Sequence, residues 1–170
     1  GEPDAGGLLS YNYISGEPIM GIANGLPMMV RPGESRFTLA NLMRAHLYSA
    51  IVVLRIGNEI LLNQEHVQID RITGHGGYFT TPKVGQTMVA AALNTPIYTM
   101  QTAGEGGAWG IGLLAAYMQK SKEMTLPQFL NEYVFNGTKG TMVEPNNRDV
   151  EGFNQWLALY RTYFTHLYSK

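Results

Sequence analysis

Apolar residues recur along this chain with two periods, and the change from one to the other sets the expected elements. Leu8 to Ile14, rich in Leu, Tyr and Ile, reads as a strand. The turn chemistry of Ser15-Gly16-Glu17-Pro18 follows it, and Asn24-Gly25 marks a second turn. Pro27 to Val30 reads as an edge strand, because its flanking prolines cannot donate to a ladder. Thr38 is a good N-cap. From Leu39 to Leu62 the positions Leu42, Met43, Ala45, Ala50, Ile51, Leu54, Ile60 and Leu61 return at helical steps, which predicts one long amphipathic helix. Arg44, His46 and Arg55 fall on it and are expected to be solvated or snorkelling.

Val67 to Thr73 predicts a short strand, and Pro82 opens a helix over Lys83 to Leu93 with Val84, Met88, Ala91 and Ala92 on its buried side. Asn94-Thr95-Pro96 ends it, and Ile97 to Met100 reads as a strand. Trp109 to Met118 is apolar almost all round, so a buried helix is expected. Thr125-Leu126-Pro127 opens a helix ending near Phe135, Asn136 to Gly140 is a loop, and Thr141 to Val143 a short strand. Asn147 or Asp149 caps a last helix whose face carries Phe153, Trp156, Leu157, Tyr160, Phe164 and Leu167, a stripe suited to docking on a core. The order predicts one α/β domain over residues 1–170, a mixed sheet flanked by helices.

Composition narrows the class. With 45% apolar residues the chain can build a core, and 12 Lys+Arg against 13 Asp+Glu leave no basic stripe for nucleic acid. Zero cysteines exclude disulfides and thiolate metal sites and suit a reducing cytoplasm. No apolar run approaches the roughly 20 residues of a membrane span, so no membrane partner is expected. The start, Gly1-Glu2-Pro3-Asp4-Ala5-Gly6-Gly7, has no initiator Met and no apolar leader, and reads as a segment of a longer protein.

Candidate chemistry gathers between Ile72 and Tyr117. Two glycine-rich turns, Gly74-His75-Gly76-Gly77 and Gly104-Glu105-Gly106-Gly107-Ala108, each lead into a helix from a strand. Glycines let a ligand approach backbone N–H groups, and a helix start favours anions. The first turn matches neither G-x-x-x-x-G-K-S/T nor G-x-G-x-x-G, so by motif alone it is either part of a nucleotide site or a tight turn holding nothing. His75 faces phosphate, acts as an acid–base group or, the favoured reading, hydrogen-bonds within its turn; Glu105 either complements a helix dipole or meets a metal-bound nucleotide; Trp109 either stacks on a base or packs in the core. Asp4, Asp70 and Asp149 are the only aspartates, and none sits in a cluster resembling a general base or a Mg²⁺ pair.

The order of motifs resembles the C-terminal domain of FGGY-family carbohydrate kinases. The resemblance rests on Thr73-Gly74-His75-Gly76-Gly77, Pro82, Gln86, Ala90-Ala91-Ala92-Leu93, Thr95-Pro96 and Glu105-Gly106-Gly107-Ala108-Trp109-Gly110. It is joined by Tyr13-Ile14-Ser15-Gly16-Glu17-Pro18, Gly25-Leu26, Arg44-Ala45, Glu144-Pro145, Tyr160 and Tyr163, so it runs through nearly the whole chain.

That resemblance implies an actin-like, ribonuclease-H-like ATPase fold and transfer of the γ-phosphoryl group of ATP, with Mg²⁺, to a sugar hydroxyl, a pentulose above all. It implies that this chain is the nucleotide-side lobe, that an N-terminal lobe outside it supplies the sugar contacts and the catalytic Asp, and that the lobe alone is inactive. It implies ATP or ADP contacts at Gly74, His75, Gly76, Gly77, Gln86, Gly106, Gly107 and Ala108, with no catalytic or metal-ligating residue here. A cytoplasmic location is expected in keeping with the zero cysteine count, and a homodimer is compatible with the resemblance. His75 stands where the family has Gly, the turn has one extra residue before Pro82, Tyr48 replaces a common Glu, and Trp109 adds bulk after the second turn. The alternatives are a nucleotide-sensing or interaction lobe without phosphotransfer, and a structural domain whose turns hold nothing.

Overall fold

In the computed structural model of this chain, which describes residues 1–101, 104, 106–137 and 139–168, the expected mixture of strands and helices forms around two small sheets. Strand β1 (Leu9–Tyr11) pairs antiparallel with β2 (Met28–Val30), Leu9 opposite Val30 and Tyr11 opposite Met28. Helices α1 (Leu39–Ser49) and α2 (Val52–Asn63) follow. Strand β3 (Ile72–Thr73) runs parallel to β4 (Ile97–Met100), with α3 (Val84–Leu93) as the crossover. After α4 (Gly106–Met118) and a short α5 (Leu126–Phe129) that continues into a π turn at Leu130–Val134, strand β5 (Gly140–Val143) returns antiparallel to β4. Helix α6 (Asn147–Tyr168) closes the fold.

Several elements are shorter or more broken than the periodicity indicated. The single helix expected over Leu39 to Leu62 is two helices bent by 44°. Ile51 leaves helical geometry (φ −121°, ψ −6°), and its N–H bonds back three residues to the Tyr48 carbonyl at 3.1 Å. Ala45, Tyr48, Ile51 and Val52 are buried on either side of the bend, so the break leaves no trace in the sequence pattern, whereas Met43, Leu54, Ile60 and Leu61 of the expected apolar face are exposed. Of the strand expected over Val67 to Thr73 only Ile72–Thr73 finds a ladder partner, and of Leu8 to Ile14 only Leu9–Tyr11. Thr38 caps α1 as expected, its hydroxyl accepting from the Asn41 N–H at 3.1 Å. Asn94 takes the left-handed conformation that ends α3 (φ 47°), a place where Asn is tolerated.

The core lies where side chains of α6 meet those of α3, β1 and α1. Phe153, Trp156, Leu157 and Tyr160 are buried, and each such side chain contributes about 1.5–3 kcal/mol through burial. Hydrogen bonds fix the orientation of these rings. Trp156 Nε1 donates to the Leu8 carbonyl at 2.8 Å, Tyr11 donates to the Tyr160 carbonyl at 2.7 Å, and the hydroxyls of Tyr13 and Tyr160 pair with each other. Burial pushes the Tyr11 and Tyr160 phenols well above their ordinary range. Tyr48 wedges its ring between Phe153 and Trp156, with centroids 4.8 and 5.2 Å away. Leu167, expected on this stripe, lies largely outside it.

Charges expected to be solvated are paired instead. Arg44 Nη1 donates to Asp149 Oδ1 at 2.9 Å, joining α1 to the first turn of α6. Asp149 is thereby occupied, and the cap of α6 is Asn146, whose Oδ1 accepts from the Asp149 N–H at 2.9 Å. Arg55 meets Glu59 at 2.8 Å, and Glu59 meets Arg161 of α6 at 2.7 Å. His46 Nδ1 lies 3.1 Å from the Ser10 hydroxyl. Among the described residues no single helix is long and apolar enough to cross a membrane.

Candidate functional site

Because β3 and β4 are parallel, both end on the same side of the sheet, and the chain leaves β3 through a glycine turn while glycines open α4 after β4. In sheets of this kind ligands bind beyond the carboxyl ends of the strands. The Gly74 N–H donates to the Tyr98 carbonyl at 2.8 Å, carrying the ladder one step past Thr73. Gly74 is buried, and a Cβ there would meet Phe79 Cζ at 2.5 Å, since the short turn Gly77–Phe79 folds its ring back over the glycine. Gly76 has φ +99°, a conformation that side chains strain. A Cβ at Gly76 or Gly77 would find no heavy atom within 4 Å, so these two glycines present bare backbone to open space. Tyr78 anchors the turn from behind by donating to the Leu47 carbonyl at 2.9 Å.

The start of α4 closes on this turn. A Cβ at Gly106 would stand 2.8 Å from Cβ and 3.2 Å from Nδ1 of His75. His75 is exposed and makes no hydrogen bond to another described residue, so the in-turn bond considered for it does not form among these groups. Gly107 and Ala108 are exposed, with open space beside Gly107. Trp109 packs at 6.2 Å and 56° against Phe135. Glu105 lies outside the described residues.

Gln86 is placed differently from the glycines. It is buried beneath the turn, and its Nε2 donates to the carbonyls of Ile97 at 3.2 Å and Thr141 at 2.9 Å. Its Oε1 accepts from the Thr141 hydroxyl at 3.2 Å. The amide thus bolts α3 to β4 and β5 and holds the floor under the glycine turns. Val84, expected on the buried side of α3, is 40% exposed, whereas Met88, Ala91 and Ala92 are buried as expected.

Two hollows flank the end of β4. One, of about 440 Å³, lies on the sheet face carrying Thr73 and Tyr98 and is bounded by Arg71, His75, Asn131 and Phe135. The Arg71 guanidinium sits 5.7 Å over the Tyr98 ring. The other, of about 290 Å³, is bounded by Thr80, Lys83, Gln101 and Lys139. A third, of about 420 Å³ between α1 and α3, is lined by Met43, Leu47 and Met88 and touches neither glycine turn. Sequence reasoning missed Arg71, Tyr98, Asn131 and Phe135. Asn131 lies in the π turn and Phe135 caps it, an irregularity of a kind often found at functional sites but without a sequence signature of its own.

Among the described residues no group of three or more acidic or imidazole side chains could hold a metal ion. The donor set here is backbone N–H, imidazole, amide and guanidinium, which suits an anion or a heteroaromatic ring rather than a bare cation.

Residues 1–119 match the family described as FGGY family of carbohydrate kinases, C-terminal domain. The chain is 25% identical over 164 residues to the xylulose kinase of Haemophilus influenzae, covering 96% of this chain and 32% of that protein. The fold superposes on the gluconate kinase of Lactobacillus acidophilus (TM-score 0.72, 19% identity, 99% of this chain and 32% of that one). It superposes equally on the ligand-bound xylulose kinase of Lactobacillus acidophilus (TM-score 0.72, 20% identity, 98% and 33%). The xylulose kinase of Rhodospirillum rubrum gives a TM-score of 0.60 at 19% identity, covering 97% of this chain and 31% of that one. The chain thus spans about a third of the length of these relatives.

Proposed function

This chain belongs to the FGGY family of carbohydrate kinases, as its C-terminal domain, and we propose that it forms the nucleotide-side lobe of a kinase that phosphorylates a sugar hydroxyl. The observation that carries the reading is the meeting of the two glycine turns at the ends of β3 and β4, with bare backbone at Gly76, Gly77 and Gly107. A nucleotide needs such a cradle, because any β-carbon there would stand in its place. In this reading Gly74 and Gln86 shape the floor, while His75, Gly106 and Ala108 border the ligand.

ATP supplies the transferred phosphoryl group, and Mg²⁺ travels with its phosphates. The described donors suit the nucleoside end, and the catalytic Asp and the sugar contacts belong to a lobe outside residues 1–170. Positioning and electrostatics dominate phosphoryl transfer, so one lobe alone has little activity. A pentulose is the favoured acceptor, supported by the similarity to a xylulose kinase. A sugar acid is the runner-up, since a gluconate kinase fits the fold equally well. The reading carries a cytoplasmic location, where ATP and free sugars meet.

The test is to assay the full-length protein for ADP release with a panel of pentuloses, sugar acids and polyols. Turnover with one class assigns the acceptor. No ATP consumption with any of them, alongside intact nucleotide binding, would convert the reading to a nucleotide-sensing lobe.

A further inference from the structure

The bend between α1 and α2 has none of the usual causes in its own sequence. Sharp helix kinks come from Pro, from Gly/Ser pairs, from π bulges or from a side chain inserted into the i→i−4 ladder. The stretch Leu47-Tyr48-Ser49-Ala50-Ile51-Val52 holds neither Pro nor Gly, and no π turn interrupts it. The buried Ser49 hydroxyl bonds to no described residue, so it is not the wedge. The inserted group comes from the first glycine turn. In a continuous helix the Leu47 carbonyl would accept from the Ile51 N–H, four residues on. Here the Ile51 N–H goes to the Tyr48 carbonyl at 3.1 Å, and the Leu47 carbonyl accepts from the Tyr78 hydroxyl at 2.9 Å.

Tyr78 is held on its other side as well. Helix α3 is moulded around it: a Cβ at Gly85 would run into the Tyr78 carbonyl oxygen and stand 2.9 Å from its Cδ1. Burial pushes the phenol well above its ordinary range, so it remains a hydroxyl that donates. The end of α1 is less constrained, because the hollow of about 420 Å³ between α1 and α3 opens beside Leu47. We infer that Tyr78 is a positioning residue: its hydroxyl ties Gly76 and Gly77 to the bend of α1 and α2, so the backbone offered to a nucleotide is held in place from behind by that bend. This rests on the reading of the turn as a nucleotide cradle. The tie acts in both directions, since coupling between two sites is reciprocal. A nucleotide settling on Gly76 and Gly77 stiffens the bend, and loss of the bond frees the Leu47 carbonyl for the Ile51 N–H and lets the turn drift.

The experiment compares the full-length protein with its Tyr78→Phe variant, with ADP as the probe. Calorimetric titration reads affinity, and amide hydrogen exchange with and without ADP reads residues 47–53. Phe keeps the ring in its packing and removes only the hydroxyl. Positioning predicts that the variant binds ADP about five-fold more weakly, the size of one hydrogen bond. It also predicts that ADP slows exchange at residues 47–53 in the unaltered protein but not in the variant. A merely structural hydroxyl would leave that ADP-dependent protection in place. If the variant does not fold, the unaltered protein decides alone: slowing by ADP supports the inference, and exchange that ADP leaves unchanged overturns it. Equal ADP affinity in the two proteins, or protection that persists in the variant, overturns it too and keeps the nucleotide reading. Absence of ADP binding to the unaltered protein ends the nucleotide reading and the positioning role together, an outcome distinct from equal binding.

Discussion

A β-carbon at Gly106 would stand 2.8 Å from the Cβ of His75. That single approach joins two turns far apart in sequence, and it is where the candidate site is most easily broken. Gly106→Ala should force the turns apart and weaken ATP binding by the full-length protein about ten-fold, roughly 1.4 kcal/mol. Removing the opposing carbon in His75→Gly/Gly106→Ala should recover most of the loss. Calorimetric titration of the two variants against the unaltered protein checks both steps. A loss that persists in the double variant would place the effect elsewhere.

Gly77 separates ligand sterics from folding. Nothing lies within 4 Å of a Cβ there, and its φ is outside the left-handed region. Gly77→Ala should therefore leave the melting temperature within about 2 °C, a surface substitution costing no more than about 0.5 kcal/mol. ATP affinity should nevertheless fall several-fold. Unchanged affinity would move the nucleotide away from this turn.

The Arg44–Asp149 pair predicts an acid-sensitive joint between α1 and α6. Burial opposes ionisation of Asp149, but hydrogen bonds from Asn146 and Arg44 and the charge of Arg44 outweigh it, so its carboxyl titrates below the ordinary range. A depressed folded-state value means that the stabilisation is complete above the unfolded value of about 4 and is lost as pH falls through the folded one. Asp149→Asn should cost about 1–3 kcal/mol near neutrality. The gap to the unaltered protein should narrow on acidification, as urea melts at pH 7 and pH 3 would show.

Trp156 is the core residue with the most to lose. Trp156→Phe removes both indole volume and the donor to the Leu8 carbonyl, held at 2.8 Å in a site only 1% exposed. A destabilisation of about 2–3 kcal/mol is expected from the cavity and the unpaired carbonyl together. Thermal unfolding of the variant measures it directly.

Gln86 should behave as a structural residue in a functional neighbourhood. Gln86→Met strands the Ile97 and Thr141 carbonyls it bridges and should cost about 2 kcal/mol of stability. ATP affinity measured well below the melting temperature should change less than in Gly77→Ala. The opposite ranking would make the amide a direct nucleotide contact.

Much was legible in the chain alone, for local reasons. The α6 stripe from Phe153 to Tyr160, the Thr38 cap, the strand at Ile97 to Met100 and the ending of α3 at Asn94 follow from periodicity and from backbone preferences that act over a few residues. The order of the glycine turns, Gln86 and the alanine run carries the resemblance to the family. What remained hidden depends on partners distant in sequence. The bend at Ile51 keeps the apolar period intact, and the partnerships of Arg44 and Glu59 are made with α6, a hundred residues away.

Two glycine-rich stretches after two strands, and an α4 that is apolar throughout, are properties of residues in a row and can be read from the chain alone. Tertiary structure decided what those facts mean. Parallel pairing of β3 with β4 sets the turns side by side and presses Gly106 onto His75, because parallel strands end on one side of their sheet. Packing on Phe129 and Phe135 covers one face of α4 and leaves Ile111, Leu114 and Met118 bare. Hydrophobicity states that a surface must be covered; only the arrangement of neighbours states which surface still is not.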